Sequence, residues 1–179
     1  RECVRLAHED GRVIIFVEPI ALYHTTDLVA PDDGGWAAPY VAPDKAGKIA
    51  LGQLGQHGNG TQLAIITYGN GYFLSRQAEP ELRASGIDLR IIDLRWLHPL
   101  NGKAIVAAVA ECQNVLIVDE SRRSGSLSEK LMTILTEAGR GNAVSRITAE
   151  DCFIPLGPAA ELVLPSKASI IEAAKAAVA

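Results

Sequence analysis

A chain of 179 residues fills one domain of roughly 100–150 residues and leaves material over. Its 48% hydrophobic and 21% charged residues exclude a disordered chain. The net charge of −4, with no Lys/Arg cluster larger than a pair, excludes a nucleic-acid partner, and no apolar run approaches the roughly 20 residues of a membrane span.

Residues Glu2 to Ala7 read as the end of a helix, with Gly11 at its C-terminal turn, followed by a buried strand at Val13-Ile14-Ile15-Phe16-Val17 that stops at Glu18-Pro19. A helix end plus one strand cannot close a core, so residues 1–26 are expected to be the remnant of another domain. Residues 27–60 carry Pro31, Gly34, Gly35, Pro39, Pro43, Gly47, Gly52, Gly55, Gly58 and Gly60 and read as a surface linker, with a short strand expected near Lys48 to Leu51. From residue 61 the pattern changes. Four short apolar runs, Leu63–Thr67, Leu89–Asp93, Val115–Asp119 and Val144–Thr148, alternate with helical spacing over Phe73–Ala84, after Asn101, and from Ser126 or Ser128 to Glu137. Pro80 is expected to kink the first of these helices. Leu162-Val163-Leu164 reads as a last edge strand, and Ser166 or Ser169 caps a final helix with Ile170, Ile171, Ala174 and Val178 on its apolar side.

This alternation predicts an α/β fold, a three-layer, doubly wound and mostly parallel sheet, over residues 61–179. Such sheets do their chemistry in the loops beyond the strands' carboxyl ends. Those loops here hold Tyr68-Gly69-Asn70-Gly71, Arg95-Trp96-Leu97-His98-Pro99, Glu120-Ser121-Arg122-Arg123 and Ala149-Glu150-Asp151.

The glycine loop after the first run could hold a phosphate at a helix N-terminus. It lacks both Gly-x-Gly-x-x-Gly and Gly-Lys-Ser/Thr, so a tight turn that needs small residues is the plainer reading; a self-contained nucleotide- or phosphate-binding module is the alternative function. His98 could act as acid or base with Asp93 or Asp119 as its orienting partner, against the simpler reading of a polar residue before a turn-forming proline. The four histidines, His8, His24, His57 and His98, show no metal-ligand spacing. Cys3, Cys112 and Cys152 are scattered and form no Cys-x-x-Cys pair; they read as thiols in a reducing cytoplasm rather than a disulfide framework. Asp93, Asp119, Glu120, Glu150 and Asp151 gather at the strand ends. Such a rim is expected to face basic groups, either Arg95, Arg122 and Arg123 of this chain or those of a partner.

The order Leu63-Ala64-Ile65-Ile66-Thr67-Tyr68-Gly69, Gly86-Ile87, Ile91-Ile92-Asp93-Leu94-Arg95, Pro99-Leu100, Val115-Leu116-Ile117-Val118-Asp119-Glu120, Glu150-Asp151, Ile154-Pro155 and Leu164-Pro165 resembles the C-terminal domain of the transketolase family. It looks most like the β-subunit, or the fused equivalent, of the thiamine-diphosphate-dependent E1 component of 2-oxo acid dehydrogenase complexes. Val13 to Tyr23 is similar to the end of that family's pyrimidine-binding domain. The resemblance implies oxidative decarboxylation of a 2-oxo acid such as pyruvate or a branched-chain acid, and acyl transfer to lipoyl-E2, with thiamine diphosphate and Mg²⁺ in the intact enzyme. It carries over no catalytic, cofactor-binding or metal-binding residue, and this chain alone is expected to be inactive and to bind no cofactor. It implies instead dimerisation with a second copy, contact with an E1 α-subunit or the missing N-terminal domains, and docking of the basic peripheral subunit-binding domain of E2. Glu150 and Asp151, then Asp119 and Glu120, are the expected partner-binding residues.

Overall fold

The computed structural model describes residues 1–179, the side chain of residue 142 excepted. The apolar runs form a five-stranded sheet in the order β1-β3-β2-β4-β5: β1 Gly55–His57, β2 Leu63–Thr67, β3 Leu89–Asp93, β4 Asn114–Arg122 and β5 Val144–Ala149. The pairs β2–β3, β2–β4 and β4–β5 are parallel, while β1 runs antiparallel along the outer edge of β3. Every residue of β2 is fully buried, as a central parallel strand covered on both faces requires.

Alternation along the strands sorts the core into two layers. Leu63, Ile65, Leu89, Ile91, Leu116 and Val118 face α2 (Asn70–Ala84) and α5 (Lys167–Val178), meeting Ala78, Leu82, Ile170 and Ala174. Ala64, Ile66, Ile92, Val115 and Ile117 face α3 (Gly102–Ala108) and α4 (Leu127–Glu137), meeting Ile105, Val109, Leu131 and Leu135. The three-layer, mostly parallel architecture expected of residues 61–179 is therefore present.

The helix termini follow their residues. Asn101 Oδ1 accepts from Ala104 N at 3.1 Å at the start of α3, and Ser166 and Ser169 form a reciprocal capping box on α5. Pro80 lies inside α2, which continues past it; the proline is exposed and sits on the solvent side.

Three expected strands differ. Lys48–Leu51 is not a strand; Ala50 instead exchanges hydrogen bonds with Gln53, and the edge strand comes later, at Gly55–His57. Leu162 ends a 3₁₀ segment, Gly157–Leu162, instead of opening an edge strand; the N–H groups of Val163 and Leu164 both turn back to Ala160 O, at 3.1 Å, rather than to a neighbouring strand. Val13–Val17 follows α1 (Glu2–Glu9) as an extended run outside the sheet, with Val13 96%, Ile15 87%, Phe16 67% and Val17 68% exposed. Its sequence suits a strand interior, but no neighbouring strand lies beside it. Within residues 27–60, Trp36 is seated against Phe73 of α2, with ring centroids 4.9 Å apart, so this stretch is fastened to the domain.

Candidate functional site

The chain runs from β2 outward to β3 and then crosses back to β4 on the other side of β2. The topological switch point, where open α/β sheets take ligands, is therefore the crevice between the carboxyl ends of β2 and β4. Here two pairs of side chains bridge it. Tyr68 Oη donates to Asp119 Oδ1 at 2.7 Å, and Asn70 Nδ2 donates to Glu120 Oε1 at 2.5 Å.

Strand alternation decides where the two adjacent acids go. Asp119 shares the face of Val115 and Ile117 and points at the start of α4. It is 1% exposed; Oδ1 also accepts from Ser121 N at 2.9 Å, and Oδ2 accepts from Ser128 N at 2.9 Å. Asp119 thus caps α4 from a distance and places its charge at the positive end of that helix. Ser126, the N-cap by position, makes no capping bond; its hydroxyl meets Ser128 Oγ at 2.6 Å instead. Glu120, on the opposite face, reaches the first turn of α2, where burial pushes its carboxyl up from the usual range. Burial, with the Asp119 charge beside it, likewise raises the Tyr68 phenol.

The glycine loop between β2 and α2 is a steric necessity. Gly69 has φ +55°, and a Cβ on Gly71 would lie 2.3 Å from Thr67 Oγ1. The mouth of α2 that a phosphate would use already holds the Asn70–Glu120 pair.

Beside the crevice lies a cleft of about 1100 Å³. Its floor is Tyr68, Asn70, Asp93, Arg95 and Glu120; Val13 to Val17 form one wall, and Trp96 and Leu97 contribute to another. Arg95 adopts φ +53°, unusual for a side-chain-bearing residue, and its guanidinium folds across Gly55, where a Cβ would be 2.8 Å from Nε. It pairs with Asp93 at 3.6 Å, whose carboxyl burial also raises. His98 lines the cleft and is exposed, but Asp93 is committed to Arg95 and Asp119 to Tyr68, Ser121 and Ser128, so neither aspartate that could have oriented His98 as an acid/base is paired with it. Among the described residues no group of three or more His, Cys, Asp or Glu side chains is disposed to hold a metal ion. The acids of the crevice are already engaged by Tyr68, Asn70 and the Ser121 and Ser128 amides, a set that does not suit a Mg²⁺–diphosphate group.

The remaining acids leave the switch point. Glu150 and Asp151 follow β5 on the surface, both exposed. Asp151 accepts from Ser124 N at 2.7 Å and Ser124 Oγ at 2.6 Å, and these bonds hold its carboxyl below the usual range. The five acids are thus not one rim: Asp119 is internal, Asp93 and Glu120 face the cleft, and only Glu150 and Asp151 are open to a partner. The tie between Tyr68 and Asp119, 51 residues apart, is the feature that the sequence reading missed; period-two alternation after Val118 was the signal that could have directed Asp119 inward.

The architecture defines the class: a doubly wound α/β domain whose switch point is bridged by Tyr68–Asp119 and Asn70–Glu120. The chain belongs to the transketolase C-terminal domain family, whose model matches residues 52–170. It is 26% identical over 172 residues to the pyruvate dehydrogenase E1 component subunit beta of Bacillus subtilis, covering 94% of this chain and 49% of that protein. It is 30% identical over 136 residues to the subunit of the same name from Staphylococcus aureus, covering 74% and 42%. The chain thus spans about half the length of these relatives. Among solved structures, a split-gene transketolase described as an inactive β4 tetramer superposes with TM-score 0.65 at 20% identity, over 79% of this chain and 46% of that one. A 2-oxoglutarate:ferredoxin oxidoreductase from Magnetococcus marinus does so with TM-score 0.52 at 20% identity, over 70% and 20%. No helix among the described residues is long and apolar enough to cross a membrane.

Proposed function

We propose that this chain is the C-terminal part of a cytoplasmic E1 component of a 2-oxo acid dehydrogenase complex, and that it serves assembly rather than the reaction itself. The intact enzyme would use thiamine diphosphate and Mg²⁺ to decarboxylate a 2-oxo acid and pass the acyl group to lipoyl-E2. The observation that carries this reading is the pair of bridges, Tyr68–Asp119 and Asn70–Glu120, that occupy the crevice where a ligand would enter. The likeness to E1 beta subunits over 94% of the chain supports the same assignment.

Residues 1–26 are, in this reading, the tail of a pyrimidine-binding domain, and residues 27–60 the connection to the domain at 61–179. The exposed run Val13–Val17, apolar on both faces, suits the interior of a sheet supplied by the N-terminal portion of E1, with the E1 α-subunit beyond it. Dimerisation brings in a second copy. Docking of the basic peripheral subunit-binding domain of E2 falls to Glu150 and Asp151, because Asp119 is internal and Glu120 is engaged with Asn70. Charge complementarity of this kind speeds encounter and weakens with salt.

The test is reconstitution. The purified chain with thiamine diphosphate, Mg²⁺ and pyruvate or a branched-chain 2-oxo acid releases no CO₂, and adding the complementary E1 portions restores release. Turnover by the chain alone overturns the reading. Titration with the isolated E2 domain gives salt-sensitive binding that Glu150→Lys weakens; absence of binding removes the docking role.

A further inference from the structure

Glu150 and Asp151, the open acids beyond β5, have basic neighbours within the chain. β4 and β5 pair in parallel, and the last pair in register sets Arg122 opposite Ala149. Followed one residue past each strand, that register brings Arg123 alongside Glu150, and one more brings Ser124 alongside Asp151. The second juxtaposition is closed by two bonds: Asp151 accepts from Ser124 N at 2.7 Å and from Ser124 Oγ at 2.6 Å. Neighbouring strands lie about 5 Å apart, so a basic pair and an acidic pair leave the sheet side by side.

The turn that carries the arginines is braced. Arg122 Nε donates to Ser124 O at 3.1 Å, and Arg146 Nη1 donates to Arg123 O at 3.2 Å. The backbone beneath the two cations is thereby fixed relative to the acids, while both side chains stay exposed. Their charge reaches the carboxylate: the Ser124 bonds do most to hold Asp151 below the usual range, and the Arg122 and Arg123 guanidinium groups add to it. The bond from Arg146 ends on the Arg123 carbonyl, so the Arg123 side chain can be replaced without breaking it.

We propose that Arg122 and Arg123 compete, within the chain, for the acids that dock the basic domain of E2, and so set how strongly that domain binds. A cation approaching Glu150 or Asp151 meets the attraction of the carboxylates less the repulsion of the guanidinium groups beside them. Docking then selects a partner that lays several cations across the acids at once, because a single charge gains little over the resident pair. The inference rests on the docking role given above to Glu150 and Asp151, and adds the residues of this chain that oppose it.

Titration of the chain with the isolated peripheral subunit-binding domain of E2, followed by calorimetry, tests it. At low salt Arg123→Ala binds the domain about two- to threefold more tightly than the parent, and Arg123→Glu about fivefold or more, while Glu150→Lys binds it more weakly. Raising the salt to about 0.5 M draws the dissociation constants of parent and variants together, as screening of a charge requires. Circular dichroism and the melting profile confirm that the variants are folded, which their exposed positions allow. If neither Arg123 variant binds more tightly while Glu150→Lys still weakens binding, the competition is overturned and the docking role stands. A tightening that persists undiminished at high salt also overturns it, because charge repulsion is then not its source. If the domain binds neither the parent nor any variant, the docking role falls and the competition with it.

Discussion

Tyr68 and Asp119, 51 residues apart, are joined by a 2.7 Å hydrogen bond that fastens the loop after β2 to the end of β4. The same carboxylate holds Ser128 N at the start of α4, so one buried group ties together two strands and a helix. Tyr68→Phe removes one partner and leaves the others, and is expected to cost about 1–2 kcal/mol. Asp119→Ala strands the Ser121 and Ser128 amides as well, and is expected to cost about 3 kcal/mol or more. Urea unfolding of the two variants checks the order. Equal losses would show that the Ser121 and Ser128 contacts contribute nothing.

Glu120 and Asp93 make the opposite demand on pH from most carboxylates. Burial raises both, so the folded state binds protons more readily than the unfolded chain. Their contribution to stability is fully present below the unfolded value, about 4 for such groups, and is lost as pH rises through the higher folded value. Glu120→Gln, which can still accept from Asn70, is expected to flatten the stability profile just above that range. It should be at least as stable as the parent at neutral pH. Chemical denaturation across a pH series decides; an unchanged slope would remove Glu120 as a contributor.

Asp33 acts with the usual sign. Its carboxylate accepts from the backbone N–H groups of Leu28, Val29, Ala30 and Gly35, and these bonds hold it well below the ordinary carboxylate range. Its contribution is present above the unfolded value and fades as pH falls through the folded one. Asp33→Ala is expected to loosen the loop that seats Trp36 on Phe73 and to speed amide exchange at those four residues by about tenfold or more. Hydrogen exchange read by mass spectrometry, with Trp36 emission alongside, checks this.

Gly71 and Thr67 form a steric pair. Gly71→Ala places a methyl where Thr67 Oγ1 stands, 2.3 Å away, and is expected to cost about 1–3 kcal/mol. Thr67 Oγ1 is buried and makes no hydrogen bond, so Thr67→Ala vacates the space without stranding a polar partner. The double variant should recover most of the loss. A cycle with no coupling would show that the backbone absorbs the methyl elsewhere.

The sheet was legible because its runs are short and mostly apolar, as covered parallel strands are; Leu63–Thr67 and Leu89–Asp93 stand where the residues place them. The fate of the acids was not, because Asp119 and Glu120 are identical in kind and adjacent in sequence. Their separation depends on which helix each face of β4 meets, a tertiary fact. Val13–Val17 shows the complementary limit. Its residues are those of a strand, yet strand formation needs a neighbour, and the chain places none beside it. Leu162–Leu164 was lost to a local turn, since the amides of Val163 and Leu164 bond back to Ala160 O, a choice its apolar side chains do not announce.

Sewing the crevice shut changes what the domain transmits. Tyr68–Asp119 and Asn70–Glu120 join the strands on either side of the reversal and so resist splaying of the carboxyl edge. In the assembly role proposed above, a domain tied through its middle would act as a strut that holds its neighbours at a fixed spacing.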